Sequence, residues 1–357
     1  MTVSLPNIVV MNLHPRYTGI SATIQALVPE QQRHIDIAVI DRGGLGLSNC
    51  WSLAGVVLAG FRRPEDAECR VWHARRDIDM MLGILLRALP GQNWRLVNTS
   101  AANRKPGPVL RRLMNAMDVV VAASDRSAGL IPWHSARIGH GVDTEFFHPP
   151  PENESPTAVI GYIGRIRPSK GTDLFVRSMI SLLPSHPGYR AEIAGLCRPQ
   201  HKDFLAGLKE EIRNAGLADR IQFLGHADRE TVRLLYQRMA ICVAPPRPDT
   251  EGFGLVPLEA LACGVPVVVS DGSAAWRKII DDEIGIIAEA GSADSLTEAV
   301  SAMLRHPELH YGLRRAARQR AVERLSIQVE AAALNEIYRR LLRGGTYPRL
   351  TPATEGC

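Results

Sequence analysis

Two glutamates, Glu251 and Glu259, stand eight positions apart in the segment TEGFGLVPLEALACGVP (Thr250–Pro266), which runs on into the apolar stretch VVVS. The Gly252-Phe253-Gly254 turn after the first carboxylate exposes backbone amides where a helix begins, a favoured seat for a diphosphate or for sugar hydroxyls. Glu259, about two turns along that helix, carries the group that usually holds a ribose, since one carboxylate accepts from two vicinal hydroxyls. A second segment, GYIGRIRPSKG (Gly161–Gly171), lies between a β-rich run and a helix and offers Gly164, Arg165 and, five positions later, Lys170. Taken alone, such a basic loop suits either an anion or water.

The first half of the chain has its own candidates. In RYTGI (Arg16–Ile20), Gly19 opens a helix after the first strand and lets a phosphate approach the backbone, unless it is a plain helix-start glycine. The GxGxxG fingerprint is missing there, which disfavours a nicotinamide-dependent dehydrogenase. Asp77-Ile-Asp79 has the spelling of a metal-binding DxD, yet acidic residues favour a first helical turn and the next residues, Met80–Leu86, are strongly apolar. It reads as a helix start, and no metal and no cofactor are expected.

The Glu-x7-Glu segment with its internal GFG, followed by EALACGVPVVVS, resembles the GT-B retaining glycosyltransferases of family 4. That resemblance implies that Glu251 lies by the donor sugar, that the amides of Gly252, Phe253, Gly254 and Leu255 meet sugar and phosphate, and that Glu259 binds the ribose. Gly161–Gly171 resembles the same family's pattern, in which an Arg and a Lys, here Arg165 and Lys170, hold the diphosphate of a nucleotide-sugar donor; Gly164 and Gly19 fall beside the donor too. Two fixed cations would then compensate the charge that develops on the departing diphosphate.

VWHARRDIDMML (residues 71–82), NTSAANRK (98–105) and IGHGVDTEFFHPP (138–150), with the second half, are similar to bacterial lipopolysaccharide-core mannosyltransferases. This implies transfer of a hexose, mannose from GDP-mannose above all, onto a lipid-linked saccharide. His73, Arg75, Arg76, Ser100 and Arg104 become candidates for acceptor or phosphate contact, against a purely structural part for each. Many family members place a His where this chain reads Thr99-Ser100. His73 is the expected substitute, contacting donor sugar or acceptor hydroxyl, although a His ending a strand is as often structural. The alternatives are a UDP-sugar-dependent transferase of polysaccharide assembly, a same-fold epimerase or phosphorylase, and a noncatalytic nucleotide-sugar-binding subunit.

The elements that must position these residues alternate. Short β-rich runs at Asn7–Leu13, Asp36–Ile40, Arg70–Trp72, Arg95–Thr99 and Asp118–Ala122 are interleaved with helical spacing near Ile20–Pro29, Ile78–Leu89 and Val109–Met117, the grammar of a parallel sheet. HPPPENESP (His148–Pro156) cannot join a helix or a sheet interior. Alternation then restarts at Ala158–Ile163 and continues to Val265–Ser270, after which the chain reads as helical. The expectation is α/β: two Rossmann-like doubly wound domains facing a central cleft. Residues 1–148 would bind acceptor, 149–156 link, 157–326 bind nucleotide-sugar, and 327–357 return as a C-terminal helix and tail to the first domain.

Composition agrees. At 357 residues, with 45% hydrophobic and 22% charged, the chain is the size of two domains and has a globular balance. The net charge is +5, with 16 Lys/Arg against 12 Asp/Glu in residues 1–150 and 26 against 25 in the rest. That mild N-terminal excess suits an anionic small molecule or membrane surface and falls short of a nucleic-acid footprint. RKPGPVLRRLMNAM (Arg104–Met117) reads as a solvated helix or as one resting on an anionic leaflet. Six scattered cysteines favour neither disulfides nor zinc. With no secretory start and no spanning stretch, the expected location is cytoplasmic, with peripheral contact at the cytoplasmic face of the inner membrane.

Overall fold

The computed structural model describes residues 6–349, apart from 16–17, 65, 103, 152–157, 274 and 306–309. In chain order the first elements are β1 (Ile8–Asn12), α1 (Gly19–Gln32), β2 (Ile37–Asp41), α2 (Leu53–Ala59), β3 (Arg70–Ala74), α3 (Asp77–Ala88), β4 (Trp94–Ser100), α4 (Pro108–Asn115), β5 (Val119–Ala122), α5 (Asp125–Leu130) and β6 (Ala136–Arg137). There follow β7 (Val159–Ile163), α6 (Thr172–Leu182), β8 (Arg190–Ala194), α7 (Lys202–Asn214), β9 (Ile221–Gly225), α8 (Arg229–Arg238), β10 (Met239–Ala244), α9 (Val256–Ala262), β11 (Val267–Ser270), α10 (Trp276–Ile279), β12 (Gly285–Ala288), α11 (Ala293–Leu304), α12 (His310–Arg324) and α13 (Ile327–Leu342).

The chain divides into two compact units, Met1–Gly141 with Ile327–Cys357, and Val142–Ser326. The first boundary lies ahead of the expected one at residue 148, because the intervening residues are tied into the second unit. The Arg318 guanidinium donates to the carbonyls of Thr144 and Phe147, and Phe147 packs edge-on against Tyr236. Residues 152–156 of the expected linker lie outside the described residues.

The first unit is built on a parallel sheet of strand order β2-β1-β3-β4-β5-β6. Successive side chains of a strand face opposite ways, and β1 shows it: Ile8 and Val10 join the core beneath α1 and α13, while Val9 and Met11 join the core beneath α2, α3 and α4. The C-terminal helix α13 contributes Ile327, Ala331, Leu334, Ile337, Tyr338 and Leu341 to the first of these cores, and the Gln31 amide of α1 donates to Asn335 Oδ1 at 3.0 Å.

The second unit carries a parallel sheet of order β12-β11-β10-β7-β8-β9. Helices α6, α7 and α11 cover one face and α8, α9, α10 and α12 the other. After Val265–Ser270 the sequence pattern reads as mostly helical, yet β12 pairs in register with β11. GIIA is only four residues long and closes the sheet's edge, where pairing rather than pattern decides.

Candidate active site

Ligands of doubly wound sheets bind beyond the strand C-termini, where the strand order reverses. In the second unit that point lies between β7 and β10, and the two motifs leave the sheet there: Gly164-Arg165 follows β7, and the segment leading to Glu251 follows β10. The loops are fastened to one another. The Thr250 hydroxyl donates to the Ser169 carbonyl at 2.6 Å, the Arg247 amide to the same carbonyl at 3.2 Å, and the Arg247 guanidinium pairs with Asp173. Beneath them the buried Tyr162 hydroxyl bonds Thr172 Oγ1 at 3.0 Å and donates to the Lys170 carbonyl at 3.2 Å. Gly171 adopts φ +69°, and a Cβ there would lie 1.7 Å from the Pro245 carbonyl oxygen, so only glycine lets the loops meet.

That scaffold brings together Lys170 and Glu251, whose ammonium and carboxylate form a direct ion pair. Arg165 projects to solvent. Partial burial lowers its pKa, the positive charges of Arg167 and Arg198 lower it further, and Glu251 opposes them. Arg165 thus feels two further guanidiniums and one carboxylate, and Arg167 Nε is buried with no hydrogen-bond partner. Arg167 and Arg198 were not singled out from the sequence. Arg167 lies two residues beyond Arg165, but Arg198 follows the neighbouring strand β8, and only the sheet order relates them.

The GFG turn is held from behind. Gly254 has φ +79°, and a Cβ would strike the Trp276 ring at 2.5 Å; Trp276 Nε1 donates to the Gly254 carbonyl at 3.2 Å, and Ser273 Oγ to that of Phe253 at 3.2 Å. The Phe253 side chain is buried in the core, Gly252 is half-buried, and Leu255 caps α9. With those carbonyls engaged from the protein side, the turn's geometry is fixed. Four residues on, the half-buried Glu259 accepts from the Tyr236 hydroxyl at 2.9 Å. Burial raises the Glu259 pKa and that of Tyr236 well above its ordinary value, so the phenol stays a donor. Tyr236, too, escaped the sequence reading.

In the first unit the order reverses between β1 and β3, and two cavities open there. One, of about 660 Å³, is lined by His14, Asp41, Arg42, Trp51, Arg76 and Asp77 among others; the second, of about 400 Å³, by Ile20, Arg75, Arg76, Asp77, Ser100 and His140 among others. Arg76 and Asp77 line both. Gly19 starts α1 with open space where a side chain would stand, and Thr18, which caps that helix, accepts from the Arg76 guanidinium at 2.6 Å. Arg75 is buried, donating to Thr23 Oγ1 at 3.0 Å. His140 pairs with Glu330 of α13 at 3.0 Å. Arg104 is exposed and lines neither cavity.

His73 corrects an expectation. Its ring is buried, with Nδ1 at 2.5 Å from the Tyr338 hydroxyl and Nε2 at 2.9 Å from Thr99 Oγ1. Burial and the charge of Arg75 push its pKa well below the ordinary value, so the ring is neutral, with neither nitrogen offered to a ligand. Asp77 and Asp79 do sit in the first turn of α3, and they point apart in environment: Asp77 is exposed, while Asp79 is buried and accepts from the Arg75 amide at 3.0 Å. Among the described residues no three His, Cys, Asp or Glu side chains gather as metal ligands, and no helix is long and apolar enough to cross a membrane.

Two parallel doubly wound sheets, one with cations and a Lys–Glu pair at its switch point, are the elements of GT-B architecture. The profile of the family "Glycosyl transferases group 1" matches residues 143–320, and the chain belongs to that family. It is 37% identical over 347 residues to the lipopolysaccharide core biosynthesis mannosyltransferase LpcC of Rhizobium leguminosarum bv. viciae, covering 94% of this chain and 96% of that protein. It is 38% identical to the corresponding LpsB of Rhizobium meliloti, covering 94% and 98%. In fold it is similar to Anabaena Alr3699/HepE crystallised with UDP (TM-score 0.77, 16% identity, 92% of this chain and 98% of that one) and to a glycosyltransferase from Rickettsia africae (0.75, 17%, 95% and 99%).

Proposed function

We propose that the chain transfers mannose from GDP-mannose, with retention and without a metal ion, to a lipopolysaccharide-core saccharide at the cytoplasmic face of the inner membrane. The observation that carries the donor site is the Lys170–Glu251 pair beside Arg165, Arg167 and Arg198 at the β7/β10 switch point. The mannosyl and core assignments rest on the names of the two rhizobial relatives and on the motif resemblance, and the GDP assignment on the resemblance alone.

In this reading the second unit holds the donor. The bond between the anomeric carbon and the β-phosphate oxygen breaks, the acceptor hydroxyl oxygen bonds that carbon on the same face, and its proton passes to the departing phosphate. The diphosphate gains charge as the sugar becomes oxocarbenium-like, and Lys170 and Arg165, with the Gly252–Leu255 amides, stabilise it more in the transition state than before it. Arg167, whose Nε lacks a protein partner, adds to that field. Glu251 orients the sugar, and Glu259, aimed by Tyr236, receives the ribose hydroxyls. The groove of the first unit, with Arg75, Arg76 and Ser100 in its wall, takes the acceptor, whose acidic groups suit two guanidiniums.

Calorimetry with GDP and UDP sugars, followed by mass analysis of transfer to a deacylated core oligosaccharide, tests this. GDP-mannose should bind and yield one added hexose. Preference for a UDP sugar would replace the donor, and binding without transfer would support a noncatalytic subunit.

A further inference from the structure

Helix α3 breaks the rule that a surface helix turns polar residues to water. Its inner positions Met80, Gly83 and Leu86 are buried, yet the outward ones are Asp77, Ile78, Met81, Leu85 and Ala88, with Leu89 just beyond. Past the first turn the one charged residue of the helix is the half-buried Arg87, paired with Asp118, and Leu85 is 62% exposed. The row Ile78–Leu89 is roughly 16 Å long at helical rise. On the same side of the sheet, α2 buries only Val56 and leaves Leu58 72% exposed, followed by exposed Phe61; α4 leaves Val109 71% exposed. Both neighbours are tied to the end of α3. Gln92 Nε2 donates to the Val57 carbonyl at 3.0 Å, and Arg87 Nη2 to the Ala116 carbonyl behind α4 at 2.8 Å. So many exposed large apolar side chains on the helices of one sheet face are unusual on a soluble surface.

Its border is basic. Arg62 and Arg63 follow α2, and Arg104, Lys105, Arg111 and Arg112 flank and occupy α4, all exposed; among the described residues of the same stretch the exposed acids are Asp66, Glu68 and Asp77. A second copy docked here about a two-fold axis would set like charges against like, whereas an anionic bilayer offers apolar depth and opposite charge at once.

We propose that the α2–α3–α4 layer is a membrane-docking face, with Met81, Leu85, Leu58 and Phe61 entering the acyl boundary of an anionic leaflet and the arginines resting on its headgroups. Met81 and Leu85 line neither cavity, while Ile78 at the start of the row lines the larger one, so the face adjoins that cavity. It deepens the peripheral contact proposed above and rests on that reading only for the lipid-borne acceptor.

The test is co-sedimentation of the full chain with vesicles of phosphatidylethanolamine and phosphatidylglycerol, against phosphatidylcholine alone, without substrate. The wild type should prefer the anionic vesicles and lose that preference in high salt. Met81→Gln with Leu85→Gln should weaken binding about tenfold or more, and Arg111→Gln with Arg112→Gln several-fold on anionic vesicles only. Both variants should match the wild type in melting temperature and in turnover of a deacylated, water-soluble acceptor. Wild-type indifference to vesicles, or unaltered binding by the Met81/Leu85 variant, overturns the proposal. So does a concentration-dependent dimer abolished by that variant, which makes a second copy the occupant. Transfer to the soluble acceptor is measured separately, so failed docking and failed transfer are distinguishable.

Discussion

Lys170, from the loop after β7, donates its ammonium to Oε2 of Glu251, 81 residues away in the loop after β10. Two loops that are remote in sequence are thereby closed across the switch point, and the charge left over near them is that of Arg165, Arg167 and Arg198. Under the proposed function the pair orders the site before a donor arrives, and a site already ordered for the developing phosphate charge would lower the barrier instead of merely tightening binding.

Removing either cation should therefore act on turnover. Lys170→Ala and Arg165→Ala are each expected to lower kcat by about 10²-fold or more, while Arg104→Ala, exposed and outside both cavities, changes it little. Initial rates on a soluble acceptor, with melting curves to confirm folding, check this.

Tyr236→Phe should read out differently. It deletes the hydroxyl that aims Glu259 and leaves the ring packed against Phe147. Losing one hydrogen bond to a carboxylate is worth about 1.5 kcal/mol, so KM for the donor should rise roughly tenfold with kcat nearly kept. An equal fall in kcat and kcat/KM would place Tyr236 in the chemical step.

How much of this was legible beforehand depended on sequence distance. The alternating periods showed the parallel sheets, and Glu-x7-Glu with the Arg–Lys loop marked the two loops that meet at the β7/β10 switch point, because each of those signals is local. Tyr236 joins Glu259 from another helix, and Arg198 joins Arg165 from a neighbouring strand, so no spacing rule reveals them. His73 was misread for the same reason: Tyr338, which engages its Nδ1, lies 265 residues on, in the helix that returns to the first unit. The outward apolar row of α3 does not stand out either, since the spacing of Ile78–Leu89 reads as an ordinary amphipathic helix and does not say which apolar positions face outward.

His73→Leu is accordingly expected to lower stability more than catalysis. It strands the buried hydroxyls of Tyr338 and Thr99, at a cost of about 1–3 kcal/mol, visible as a lower denaturant midpoint. A fully stable but inactive variant would return the imidazole to the reaction.

Asp79 gives a pH signature. Burial raises its carboxyl to about 6, from an ordinary 3.8. The folded state then binds the proton more tightly than the unfolded one, so this group's contribution to stability is fully present below about pH 4 and is lost as pH rises through about 6. The whole effect is at most about 3 kcal/mol. The stability of Asp79→Asn relative to wild type should climb between those pH values and level off above them. A flat difference would mean that the carboxyl is ionised throughout.

Excess EDTA should leave transfer unchanged if, as proposed, Arg165, Lys170 and the GFG amides supply the charge compensation that a metal would otherwise give. A requirement for added Mn²⁺ would instead reopen Asp77 as a ligand.

The central claim, that the β7/β10 site departs a nucleoside diphosphate from a sugar with retention, is tested most directly by the anomeric configuration of the product. Wild type and Lys170→Ala would be given GDP-α-mannose and a deacylated core oligosaccharide, with the new linkage read by its one-bond carbon–proton coupling in NMR. The expected result is an α-linked mannose from the wild type and a rate about 10²-fold lower or less from Lys170→Ala. A β-linked product, or equal rates from the two proteins, would contradict the account.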